Sequence, residues 1–365
     1  VTPQHDAAAR EDLLDDPEGI EAADPDGMLR AVAGAPAPFR VAVTTAYEAD
    51  LGRVTDGGRP RAVVVAGMGG SGIAGDVLGA VAGLGAPAPV LTHRGYGLPG
   101  WVGPADVVVA VSCSGRTEET LSAAEEAVRR GARVVTVGAE SSPLADLGAR
   151  GRGAHVPVPG GRLPRASLWA LSVPLLVLGD GLGVCRVARE ELDATADLLD
   201  VLTERYKAAK ESFLNPAKAL ALAFAEPLPV VWGTSPLAGV AAYRTACQFN
   251  ENAKRPATWG VLPEANHNQV VPFDDPDAAD RIRVLFLRDA EEQPSVARRV
   301  TACQELARER GIGFDEVLAE GASPIARLAS LVAAVDFTTT YLAILLGVDP
   351  SVIAPIVQLK QRLAE

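Results

Sequence analysis

Cysteine, histidine, lysine and methionine are all scarce in these 365 residues: four, four, five and two respectively. The cysteines (Cys113, Cys185, Cys247 and Cys303) stand far apart with no CxxC pair. That excludes a disulfide scaffold and a zinc ribbon, and it fits reduced thiols in a cytoplasmic protein. No ladder of His, Cys and carboxylate spacings marks a metal centre, so none is expected. Basic residues are outnumbered, 34 Lys and Arg against 46 Asp and Glu, giving a net charge of −12. Such a surface repels phosphate backbones, and nucleic-acid binding through a broad basic face is not expected. Small anions remain bindable by a few backbone amides and one arginine. Long apolar runs are missing too. Leu171 to Leu178 is too short for a bilayer, and residues 1–21 are acidic without the apolar stretch of a signal peptide. What is present is a globular composition, 48% apolar and 22% charged, at a length that suits two domains.

From Arg61 onwards short β-branched runs alternate with Ala-rich helical stretches. Residues 62–67, 88–93, 106–112, 132–138 and 154–159 read as strands, separated by helices at 71–84 and 117–131. Apolar runs without alternation, spaced by helices, predict parallel strands covered on both faces. A helical zone over 167–219 carries a glycine break at 179–183. The strand–turn–helix grammar then restarts with a strand at 228–233, a helix at 236–254 and a strand at 281–289. Helices at 295–310 and 324–346 and a tail helix follow. The expected fold is α/β, with two doubly wound, flavodoxin-like parallel-sheet domains and a C-terminal tail helix.

Two turns carry the chemistry of the first half. AVVVAGMGGSG places a GxGxxG (Gly67, Gly69, Gly72) between a strand and a helix, where free amides and the helix dipole favour an anion. A dinucleotide reading also needs an acidic residue after the next strand, and that strand ends in His93 and Arg94 instead. Arg94 leaves a 2′-phosphate reading open. The second turn, SCSGRTEET, gathers Ser112, Ser114 and Thr117 at a strand end and helix start. A plain helix cap explains one of these hydroxyls; three of them beside Ser71 suit a phosphomonoester.

GMGGSGIAGD, SCSGRTEETL, PRASLWAL, NENAK, PEANHNQV and LKQRL, in that order, resemble the bifunctional phosphoglucose/phosphomannose isomerase family, a branch of the SIS (sugar isomerase) domain proteins. The resemblance runs from about residue 30 to the end. It implies a helical lead (1–55), a first SIS domain (56–183), a helical linker (184–218), a second SIS domain (219–348) and a tail helix (349–365) carrying Lys360. It also implies a homodimer that needs no cofactor and interconverts glucose 6-phosphate or mannose 6-phosphate with fructose 6-phosphate. Gly70, Ser71, Ser112, Ser114 and Thr117 match the phosphate-binding positions. Arg165 matches the arginine near C1 and C2, Glu251 the base, and His267 and Lys360 the ring-opening pair. The histidine resembles one supplied across the dimer interface.

These residue types suit the chemistry. One carboxylate can remove the C2 proton and return it to C1 through a cis-enediol. A permanently charged guanidinium can face the enediolate, and an imidazole titrates where ring opening needs it. Gln269 stands where relatives carry an acid. Ile353 and Ala354 stand where members using both epimers carry a hydroxyl, so the epimer preference stays open. The alternatives are a non-catalytic sugar-phosphate sensor and an isomerase of another phosphosugar.

Overall fold

The computed structural model describes residues 8–150, 153–161 and 163–364. The first seven residues of the expected helical lead, and Glu365 of the tail, lie outside the described residues. The chain divides into two compact units. One comprises Gly34–Leu198 with Ala322–Ala326; the other comprises the segment up to Ala33, Leu199–Gly321 and everything from Arg327.

The first unit is built on five parallel strands, β1 (Val63–Ala66), β2 (Val90–His93), β3 (Val107–Ser112), β4 (Arg133–Ala139) and β5 (Ala154–Val158), in the order β2-β1-β3-β4-β5. Every residue of β1 and β3 is buried, which is why neither shows polar alternation. Val64, Val108 and Val134 pack against Ala123 and Ala127 of the helix Glu118–Arg129, small residues that let helix and sheet approach. The helix Pro36–Glu48 packs on Leu168–Gly181, with the Phe39 ring 5.6 Å from Trp169. In this strand order the direction of winding reverses between β1 and β3, and the carboxyl ends at such a reversal are where a doubly wound sheet receives its ligand.

The second unit holds four parallel strands, β6 (Leu228–Gly233), β7 (Thr258–Val261), β8 (Ile282–Arg288) and β9 (Gly313–Leu318), in the order β7-β6-β8-β9. Trp232, Phe273, Phe286 and Val300 centre its core. The edge strands β7 and β9 are additions to the sequence reading. β9 carries Asp315 and Glu316, which look like loop residues until they meet Arg283 at 2.6 Å and Arg288 at 3.2 Å on β8. Cross-strand ion pairs thus replace the apolar pattern there.

The helical zone splits into Leu168–Gly181, Arg189–Tyr206 and Pro216–Ala223. Its first helix runs through Gly179 and Gly181 and turns at Gly183 (φ +67°). The helix Pro324–Leu345 is long and apolar enough by length and composition to cross a membrane, yet its apolar window is wholly buried inside the protein. Arg327, Asp336 and Thr338 to Thr340 interrupt it, so the sequence shows no unbroken apolar run there. The tail forms the helix Ala354–Ala364.

Candidate active site

At the carboxyl ends of β1 and β3 two turns close on one another. A Cβ on Gly67 would stand 3.0 Å from the Ser71 carbonyl and from the Val111 oxygen, so only glycine permits that approach. Gly70 and Ser71 lie in the first turn of the helix Gly69–Ala82, whose N-cap position is held by Met68 without a side-chain cap. Gly70 borders open space, since a Cβ there would meet nothing within 4 Å.

In the second turn the Ser112 hydroxyl lies 2.8 Å from that of Thr117 and 3.4 Å from that of Ser114, and the Arg116 amide donates to Ser114 Oγ at 3.3 Å. Gly115 adopts a left-handed φ of +64°, and a Cβ there would collide with Ser142. Thr117 occupies the N-cap position of Glu118–Arg129, but its side chain makes no cap hydrogen bond. The simple capping role is therefore not what this hydroxyl does; it is turned to Ser112. Three hydroxyls consequently converge at a helix N-terminus, a geometry suited to a small oxyanion.

Arg165, half-buried, sits on the short 3-10 turn Pro164–Ser167, which packs against the helix Gly69–Ala82. Burial pushes the Cys113 thiol up, with Ser167 of the same turn opposing in part, so the thiol stays protonated. Arg94 is ion-paired with Asp76, so the guanidinium that a 2′-phosphate would need is already engaged. Among the described residues no group of three or more His, Cys, Asp or Glu side chains is arranged to hold a metal ion.

The remaining candidates belong to the four-stranded unit. Glu251 is the last residue of the helix Pro236–Glu251. That helix is seated by a polar rail at four-residue spacing. Arg244 donates to both oxygens of Asp336 (2.9 and 2.6 Å), Gln248 Nε2 to Asp336 (3.1 Å), and Asn252 Nδ2 to Thr339 (3.1 Å). The helix end is closed by Lys254, whose backbone is left-handed (φ +56°). Its Nζ donates to the carbonyls of Glu251 (2.7 Å), Asn252 (3.2 Å) and Asp349 (2.8 Å). The last of these ties the helix to the turn that leads into the tail. The sequence reading did not single out Lys254 or the rail. Polar residues four apart on an Ala-rich helix were the available signal.

His267 ends the short helix Glu264–His267 and is exposed. Its loop is pinned by Gln269, which accepts from the Trp232 indole (2.6 Å) and donates to the Trp259 carbonyl (3.1 Å). A carboxylate could accept the first bond but not donate the second, so the departure to Gln269 has a structural use. Lys360 is exposed on the tail helix, as is every residue from Ala354 to Leu363.

Two parallel-sheet units, one with hydroxyl turns at its winding reversal, define a doubly wound α/β protein of the SIS type. A family model described as the bacterial phospho-glucose isomerase C-terminal SIS domain matches residues 213–363. The curated bifunctional phosphoglucose/phosphomannose isomerase of Caldicellulosiruptor bescii is 34% identical over 304 residues, covering 83% of this chain and 89% of that protein. The protein of the same description from Aquifex aeolicus is 32% identical, covering 83% and 90%. Among solved structures, a hypothetical protein of Thermus thermophilus superposes with a TM-score of 0.71 at 18% identity, covering 98% of this chain and 96% of that one. The chain belongs to the bifunctional phosphoglucose/phosphomannose isomerase family.

Proposed function

We propose that this protein interconverts glucose 6-phosphate, mannose 6-phosphate or both with fructose 6-phosphate through a cis-enediol. The observation that carries the reading is the convergence of the Ser112, Ser114 and Thr117 hydroxyls at the β1/β3 reversal in a member of this family. Gly70, Ser71 and those three hydroxyls hold the phosphate. Glu251 moves the proton between C2 and C1, and Arg165 faces the developing enediolate charge. His267 and Lys360 exchange protons with O5 and O1 to open the ring. Homodimer formation, with His267 supplied to the partner subunit, is supported by the exposure of His267. The exposed apolar side chains Ile356, Val357, Leu359 and Leu363 on the tail helix support it too.

Fructose 6-phosphate incubated with the protein in deuterated water and followed by proton NMR tests the reading. Aldose 6-phosphate labelled at C2 is the expected product, and its configuration gives the epimer preference. Absence of both label and product, with the ligand still raising the melting temperature, replaces the enzyme by a sensor. Glu251→Gln should lower turnover by about 10²- to 10⁴-fold, the usual contribution of a general base, while ligand-induced stabilisation persists.

A further inference from the structure

A cavity of about 820 Å³ opens at the other end of the five-stranded sheet, against the amino ends of β1, β3 and β4. Arg59, Arg61, Arg133 and Arg150 line it, together with apolar walls that include Pro104 and Val128. No carboxylate is among the described lining residues, in a chain whose net charge is −12.

Among the described residues, only one of these guanidiniums has an ion-pair partner. Arg61 donates to both oxygens of the buried Asp106, at 2.9 and 2.6 Å, while lying 5.6 Å from the Trp101 ring centroid. Arg133 is half-buried, and its Nη1 donates to the carbonyls of Val54 and Gly58, each at 2.8 Å. Those bonds fix the side chain but bring no negative charge. Burial accordingly pulls the Arg133 pKa below its ordinary value. Gly57 makes this seat possible, since a Cβ there would come within 2.7 Å of Arg133 Nη1. Arg59 and Arg150 are exposed, and neither side chain has an ion-pair partner among the described residues.

Three guanidiniums around one cavity, without an ion pair among the described residues, exceed what a single phosphate monoester needs, because one arginine already pairs bidentately with a phosphate. Spread over several phosphates, they match a polyanion, and the apolar walls suit an organic portion. We propose that this cavity is a binding site for a polyphosphorylated small molecule, separate from the hydroxyl turns at the opposite end of the strands. The site is independent of the isomerase reading.

Calorimetric titration with inorganic tripolyphosphate tests it, using wild type, Ser112→Ala/Thr117→Val and Arg59→Ala/Arg150→Ala, with melting temperatures to verify folding. The expected result is unchanged affinity in the hydroxyl variant and an affinity loss of about tenfold or more in the arginine variant. Orthophosphate should bind the hydroxyl variant more weakly than tripolyphosphate does. The proposal is overturned if wild type gives no binding. It is equally overturned if binding vanishes in the hydroxyl variant and survives in the arginine variant, or if orthophosphate binds the cavity as tightly as tripolyphosphate.

Discussion

Lys254 shows how one side chain sets the geometry of others. It neutralises the carbonyl end of the Glu251 helix, where a cation is favoured, and its bond to Asp349 fixes the start of the segment that carries Lys360. With Glu251 as the base we propose, Lys254→Met should lower kcat for fructose 6-phosphate by about 10- to 100-fold, because small misplacements of a base are costly. KM should change little, since the hydroxyl turns are untouched. Steady-state kinetics separates the two, and a purely structural role would move neither. Asp106 offers a pH test. Burial pushes its carboxyl up, but Arg61 and the amides of Gly103 and Ala62 outweigh burial and hold it below the usual carboxylate range. A carboxylate with a depressed native pKa contributes stability that is complete above about pH 4 and is lost as pH falls through the native value. The stability gap between wild type and Asp106→Asn should therefore be full at pH 7 and narrow below about pH 4. Urea titrations at a series of pH values check it.

Among elements, the helices Pro236–Glu251 and Pro324–Leu345 are joined by a buried ion pair rather than by apolar contact alone. Arg244 is 3% and Asp336 8% exposed, so neither charge has water to fall back on. Asp336→Ala strands a buried guanidinium and should cost about 3–5 kcal/mol of unfolding free energy. Replacing both partners, Arg244→Met with Asp336→Leu, should recover most of that loss. Chemical denaturation of the single and double variants measures both. If the double variant folds but turns over slowly, the rail aligns Glu251 as well as supporting the fold. Elsewhere the buried Lys218 ammonium donates to the carbonyls of Leu14, Ala208 and Lys210, which ties the N-terminal segment to the four-stranded unit.

For the whole molecule, the tail helix separates stability from activity. All its residues from Ala354 to Leu363 are exposed in the single chain, so deleting 354–365 should change the unfolding free energy of the monomer by only about 1 kcal/mol or less. The same deletion removes Lys360 and the apolar face that we assign to a second copy. Turnover should fall sharply, and sedimentation velocity should show a shift from dimer to monomer. Unchanged sedimentation of a dimeric wild type would place the interface elsewhere on the chain, and a monomeric wild type would remove the dimer we propose.

By itself the sequence determined element type and the chemistry of the turns. Unalternating valine runs such as VVVA and VVVAVS, short and β-branched, read as strands covered on both faces, and glycines beside hydroxyls read as tight turns at helix starts. These are local signals, set by backbone sterics within a few residues. The edge strands β7 and β9 escaped because partly exposed strands lack the apolar signature, and their pairing is supplied by β6 and β8. Only the tertiary structure decided that Thr117 turns to Ser112 instead of capping its helix. It alone joined Arg244 to an aspartate 92 residues away, and closed the Glu251 helix with Lys254 against Asp349. Such pairings depend on which surfaces packing brings together, and no local periodicity encodes that choice.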